Sequence, residues 1–176
     1  AYGSGLAGRT LGIVGLGRIG EAVAERALPF KLKIAYHNRT PKISKYTYFP
    51  SLLDLAKASD ILVCVLPGGE KTRNLINHEV LSALGPEGIL INIGRGSVVD
   101  EPALIDLLSR NAIAGAGLDV YATEPNVPLE LRRLKNAVLL PHIGSATLEA
   151  RHEMGDLVIK NLVAYFSNQK LISEVQ

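Results

Sequence analysis

Six short apolar runs, at residues 11–14, 34–36, 61–66, 89–93, 114–118 and 138–140, alternate with stretches of helical periodicity. Runs without polar alternation belong to strands buried on both faces, a condition met by a parallel sheet with helices packed on either side. The helical stretches fall at residues 21–28, 51–58, 78–84 and 101–110. Ser51, Asn77 and Asp100 precede three of them with side chains able to accept from first-turn N–H groups, and Pro102 sits where a missing N–H does no harm. The order β-α-β-α predicts an α/β fold built on a doubly wound parallel sheet. A last segment, 147–166, with Leu157, Val158, Leu162, Val163 and Phe166 close to a 3.6-residue period, predicts the longest helix.

The chain has 176 residues, of which 47% are hydrophobic. That suffices for one ordinary globular domain, which would remove roughly 70% of its unfolded surface from water. A formal net charge of +2, with no aromatic-rich basic stripe, points away from nucleic-acid binding. Cys64 lies inside an apolar run, so it reads as a core residue and neither a disulfide partner nor a metal ligand; no metal is expected. No apolar segment approaches the ~20 residues that span a bilayer, and the start lacks a secretory pattern, so the expectation is a cytoplasmic protein without a membrane partner. Gly3, Gly5 and Gly8 make residues 1–8 look like a linker, leaving 9–146 as the α/β domain and 147–176 as a helix and tail.

The first run leads into Gly15-Leu16-Gly17-Arg18-Ile19-Gly20 and then a helical stretch. A GxGxxG that closes a strand and opens a helix is a dinucleotide fingerprint. Gly15 allows the tight turn, Gly17 admits a pyrophosphate against the backbone, and Gly20 lets helix and strand pack closely. The helix terminus offers N–H groups and the positive end of a dipole, and Arg18 and Ile19 just before it are candidate cofactor contacts. An acidic residue about 20 positions further on would hold the ribose 2′-OH of NAD. Here no acid occurs between Glu25 and Asp54, while Lys31, Lys33, Arg39, Lys42 and Lys45 fall in that interval. Arg39 can take a 2′-phosphate bidentately, with Asn38 and Thr40 as neutral donors, so NADP is favoured over NAD.

Three ionisable residues follow the ends of later runs: Arg95, Glu124 (reached through Asp119) and His142. In an open parallel sheet such ends border one crevice, and a cation, a carboxylate and an imidazole there make an acid/base site. Adding hydride to a ketone leaves an alkoxide, which needs a proton donor, His142, and a cation, Arg95; a carboxylate beside the imidazole, Glu124, favours its charged form. Gly94 and Gly96 are expected to let the backbone approach substrate and nicotinamide.

The segments LGIVGLGRIG, INIGRGSVVDE, GAGLDVYATEP and LLPHIGSAT, in that order, resemble the D-isomer-specific 2-hydroxyacid dehydrogenases, in particular the glyoxylate/hydroxypyruvate and hydroxyphenylpyruvate reductase branch. The resemblance covers essentially the whole chain. It implies a Rossmann cofactor domain of an oxidoreductase that reduces a small 2-oxo acid with NADPH. It makes Arg95 the group that binds and polarises the oxo acid, His142 the proton donor, and Glu124 its support. Asp119 then holds the nicotinamide carboxamide, and Leu66, Pro67, Thr72, His142 and Gly144 are further cofactor contacts. It also implies a homodimer, and a substrate lobe most of which is absent, since only eight residues precede Arg9; the segment 147–176 would return toward that lobe. The alternative within the family is a dinucleotide-sensing, non-catalytic interaction module.

Overall fold

The computed structural model describes residues 5–174; residues 1–4 of the expected linker lie outside them. Seven strands, β1 (Thr10–Val14), β2 (Lys33–His37), β3 (Thr47–Tyr48), β4 (Ile61–Cys64), β5 (Ile89–Asn92), β6 (Gly115–Leu118) and β7 (Ala137–Leu139), form one sheet in the order β3-β2-β1-β4-β5-β6-β7. Every neighbouring pair is parallel. The helices between them are α1 (Arg18–Ala27), α2 (Leu52–Lys57), α3 (His78–Ala83), α4 (Glu101–Ser109) and α5 (Leu129–Arg133), and α6 (Leu148–Phe166) follows the sheet.

Side-chain alternation along each strand divides the core in two. Leu11, Ile13, Ile34, Tyr36, Ile61 and Val63 pack with Ala24 and Ala27 of α1. Ala35, Leu62, Cys64 and Leu90 pack instead with Leu55, Leu81, Leu104 and Leu108, from α2, α3 and α4. Burial of each large aliphatic side chain contributes about 1.5–3 kcal/mol, so continuous apolar strands are what a doubly covered sheet requires. Cys64 is fully buried among them, and burial pushes its thiol up to about 11, against a weaker opposing hydrogen bond with the Leu66 backbone. It is an inert core residue.

The expected caps form. Ser51 accepts from the Asp54 N–H, Asn77 from Val80, Asp100 from Ala103 and Thr147 from Ala150, at 3.2, 3.0, 3.1 and 3.1 Å. Two elements carry too little pattern to be read from sequence: β3 is a two-residue edge strand, and α5 is a single short turn-and-a-half behind Pro128. Helix α1 starts at Arg18, three residues before the apolar periodicity suggests, because Gly17 is its N-cap.

The chain divides into two compact units, Ala1–Pro141, which contains the sheet, and His142–Gln176, which contains α6. Within the second unit the Asn161 side chain ties the tail back to α6, its Oδ1 accepting from the Ile172 N–H at 3.0 Å and its Nδ2 meeting Ser173 Oγ at 2.8 Å. Among the described residues no helix is long and apolar enough to cross a membrane.

Candidate functional site

Strand order reverses direction between β1 and β4, and ligand crevices in open α/β sheets lie at that switch, outside the carboxyl ends of the strands. Two adjoining clefts occupy this edge. One, of about 630 Å³, runs from the glycine loop past Leu66 and Pro67 to Gly94 and Arg95. The other, of about 540 Å³, runs from Leu66 and Pro67 to His37, Asn38, Arg39 and Thr72. Leu66 and Pro67 line both, so the two read as one groove.

The three glycines of the first loop differ in what surrounds them. Gly15 has φ +101°, the left-handed turn that favours glycine. A Cβ on Gly20 would overlap the Gly15 carbonyl oxygen, with Ile13 Cγ2 at 3.2 Å; this is the close helix–strand packing expected of it. A Cβ on Gly17 would meet nothing within 4 Å, so no protein neighbour explains that glycine. The loop's own donors are engaged internally. Gly15 N–H reaches the His37 carbonyl at 3.0 Å, Leu16 N–H the Asn38 Oδ1 at 2.7 Å, and Gly17 N–H the Gly15 carbonyl at 2.9 Å. The first intrahelical bond runs from Glu21 N–H to the Gly17 carbonyl, and no side chain caps the terminus. The donors left for an anion are therefore those of Arg18, Ile19 and Gly20, beside an exposed Gly17.

At the other end, Arg39 and Thr40 are exposed after β2. Asn38 does more than its sequence position suggests. By accepting from Leu16 it fastens the basic loop to the glycine loop, which leaves its amide NH₂ for a ligand. Thr72 Oγ1 donates to the Pro67 carbonyl at 2.8 Å and so closes the turn that walls the groove.

Arg95 is exposed at the mouth of the groove, with one guanidinium nitrogen 2.7 Å from the Gly94 carbonyl oxygen. The loop that carries it is shaped by Asn92, a buried residue whose Nδ2 donates to the Arg95 carbonyl and whose Oδ1 accepts from the Gly94 N–H, both at 3.1 Å. Sequence reasoning missed Asn92. Its signal was a polar side chain ending an apolar run, which must find partners when buried.

The glycines flanking Arg95 are crowded by protein. A Cβ on Gly94 would lie 2.5 Å from the Leu66 carbonyl oxygen, and one on Gly96 would overlap the Tyr121 carbonyl group. At both positions the neighbouring backbone alone leaves no room for a side chain. The contact at Gly96 also packs the Arg95 loop directly on the Tyr121–Glu124 turn. Glu124 Oε1 accepts from the Tyr121 N–H at 2.9 Å, and the buried Glu101 accepts from the Ala122 N–H at 3.2 Å. Tyr121 Oη donates to the Leu140 carbonyl at 2.7 Å, joining this turn to the end of β7. Burial, opposed by that hydrogen bond and reinforced by the carboxylates of Asp119, Glu124 and Glu101, holds the phenol above its usual range.

Arg95 and Glu124 are thus carried by two loops of the sheet-bearing unit that touch through backbone. Asp119, buried at the end of β6, lies in the same unit, its N–H donating to the Asn92 carbonyl at 3.1 Å. His142, with φ 55°, is the first residue of the second unit, and Gly144 follows it; both are exposed.

Residues 1–144 match the family described as D-isomer specific 2-hydroxyacid dehydrogenase, NAD binding domain. A hydroxyphenylpyruvate reductase from Plectranthus scutellarioides is 53% identical over 169 residues, covering 96% of this chain and 54% of that protein. A glyoxylate/hydroxypyruvate reductase from Arabidopsis thaliana is 51% identical over the same length and shares. Among solved structures, the NADPH-dependent glyoxylate/hydroxypyruvate reductase of Sinorhizobium meliloti, in complex with NADP and malonate, superposes with a TM-score of 0.93 at 51% identity, covering 97% of this chain and 54% of that one. The chain spans about half the length of the relatives it matches.

Proposed function

Since the chain belongs to the D-isomer-specific 2-hydroxyacid dehydrogenases, as their NAD-binding domain, we propose that it is the cofactor half of a reductase that converts a small 2-oxo acid of the glyoxylate or hydroxypyruvate type to the 2-hydroxy acid with NADPH. The observation that carries this reading is the groove itself, with an uncapped helix terminus at its centre, Arg39 at one end and Arg95 at the other. The empty space at Gly17 fits a pyrophosphate against the backbone, held by the N–H groups of Arg18 and Ile19 with Gly15 and Gly20 shaping the turn. Arg39, with the amide of Asn38 and the hydroxyl of Thr40, would take a 2′-phosphate; with no acid in that loop NADP is preferred and NAD is the weaker ligand. Leu66, Pro67 and Thr72 wall the groove, Asp119 is assigned to its nicotinamide end, and Gly144 is a further candidate cofactor contact carried by the second unit.

When bound, the nicotinamide supplies hydride to the oxo carbon. The chain's own residues then manage charge and proton. Arg95 holds the oxo acid and stabilises the developing alkoxide, and His142 gives it a proton. Glu124, whose carboxylate accepts from the Tyr121 N–H, is the third member of the assigned trio and the support that the family reading gives the histidine. Arginine, glutamate and histidine are all present at their motif positions, which supports an enzyme over a non-catalytic sensing module. A homodimer and a cytoplasmic location go with the family reading.

The test is a chimera in which this chain replaces the matching half of the Plectranthus reductase, assayed for NADPH oxidation with glyoxylate and hydroxypyruvate. The chimera is expected to turn over, and His142→Gln to lower kcat on the order of 10²- to 10⁴-fold with NADPH affinity retained. A chimera that binds NADPH but reduces neither acid, or one indifferent to His142→Gln, contradicts the proposal.

A further inference from the structure

The segment that carries Arg39 is held at both ends by tyrosines from the sheet. Tyr36, on β2, is 1% exposed, and its hydroxyl engages both backbone groups of Lys42, accepting from the N–H at 3.0 Å and donating to the carbonyl at 3.1 Å. Tyr48, its register partner on β3, donates to the Asn38 carbonyl at 3.2 Å. The two rings lie 5.3 Å apart, so each fixes the other. Between these anchors stand only Arg39, Thr40 and Pro41.

A buried tyrosine needs some partner for its hydroxyl, and one bond to a nearby carbonyl would be unremarkable. Here both hydroxyls reach the same short loop, one at each end, and Lys42 is gripped through its N–H and its carbonyl together. The edge strand β3 is two residues long, and what it delivers is this contact, together with the Phe49 carbonyl that accepts from His37 Nδ1 at 2.9 Å. The Lys42 ammonium is paired with Glu21 on α1 at 3.2 Å, whereas no ion pair among the described residues engages Arg39.

Resting on the reading that this loop receives a 2′-phosphate, we propose that Tyr36 and Tyr48 are positioning residues for cofactor choice, holding residues 38–42 in the shape that presents Arg39. Neither hydroxyl has to touch the cofactor. Their effect comes from ordering the loop before binding, which removes an entropic cost that would otherwise fall on the ligand carrying the 2′-phosphate. NADH lacks the 2′-phosphate that Arg39 is proposed to hold, so its binding should be far less sensitive to the clasp.

Binding of NADPH and NADH to the 176-residue chain, followed by cofactor fluorescence, tests this with Tyr36→Phe, Tyr48→Phe and Arg39→Ala, alone and combined. Thermal melts check that each variant folds, and the half-buried Tyr48 provides a second probe if the buried Tyr36 site proves intolerant. Each tyrosine variant is expected to weaken NADPH about 3- to 10-fold and NADH less than about twofold. Neither should matter once Arg39 is alanine. Equal losses for both cofactors, no loss, or an undiminished loss in the Arg39→Ala background would overturn the proposal. If Arg39→Ala alone weakens NADPH and NADH alike, the 2′-phosphate reading falls and takes the clasp with it. If Arg39→Ala is selective while the tyrosine changes are silent, only the clasp falls.

Discussion

Two loops of the sheet-bearing unit share a G-x-G spacing, Gly15-Leu16-Gly17 after β1 and Gly94-Arg95-Gly96 after β5, and both press on the exit of β4. Leu66 is the common wall: its side chain lies 2.8 Å from where a Gly15 Cβ would stand, and its carbonyl oxygen 2.5 Å from where a Gly94 Cβ would stand. Beyond that they differ. Gly17 faces open space, whereas Gly96 is jammed against the Tyr121 carbonyl group. One glycine has room beside it, where the proposed pyrophosphate would lie, and the other makes room for the protein itself. A motif glycine therefore says that space is needed without saying whose.

The largest effect should come from filling the crowded loop. Gly96→Ala sets a methyl group against backbone, which cannot swing aside as a side chain can. Overpacking typically costs about 1–3 kcal/mol, and a rigid neighbour places this site at about 3 kcal/mol or beyond. Urea unfolding should show that loss; unchanged stability would break the contrast between the loops. Gly17→Ala should act the other way. Its φ of −100° suits any residue, so stability should change by less than about 1 kcal/mol. NADPH and NADH should both weaken, roughly tenfold or more, because the new methyl group occupies the phosphate's approach. A variant that binds both cofactors normally would mean that Gly17 is not at the pyrophosphate.

These distinctions mark how far the sequence could be read. Strands buried on both faces announce themselves as unbroken apolar runs, and Ser51, Asn77 and Asp100 announce the helices they cap, because both effects are local. The edge strand β3 does not, since Thr47 and Tyr48 carry no pattern of their own and pair only because β2 is beside them. The crowding at Gly96 comes from Tyr121, remote in sequence, so the spacing around Arg95 gave no warning of it. The same is true of Asn38, which looks like a ligand donor beside Arg39 and also fastens that loop to Leu16. Tyr36 reads as one more apolar strand residue until its hydroxyl is traced to Lys42. In each instance the residue type was legible and its partner was not.

The most direct measurement is a parallel titration of this 176-residue chain with NADPH and NADH at matched ionic strength. The groove, with its open Gly17, its uncapped helix terminus and its exposed Arg39, predicts that both bind. NADPH should be favoured at least about tenfold, as expected for a charge-assisted contact. That advantage should shrink as salt screens the exposed arginine. Equal affinities, a preference for NADH, or no binding by the folded chain would contradict it.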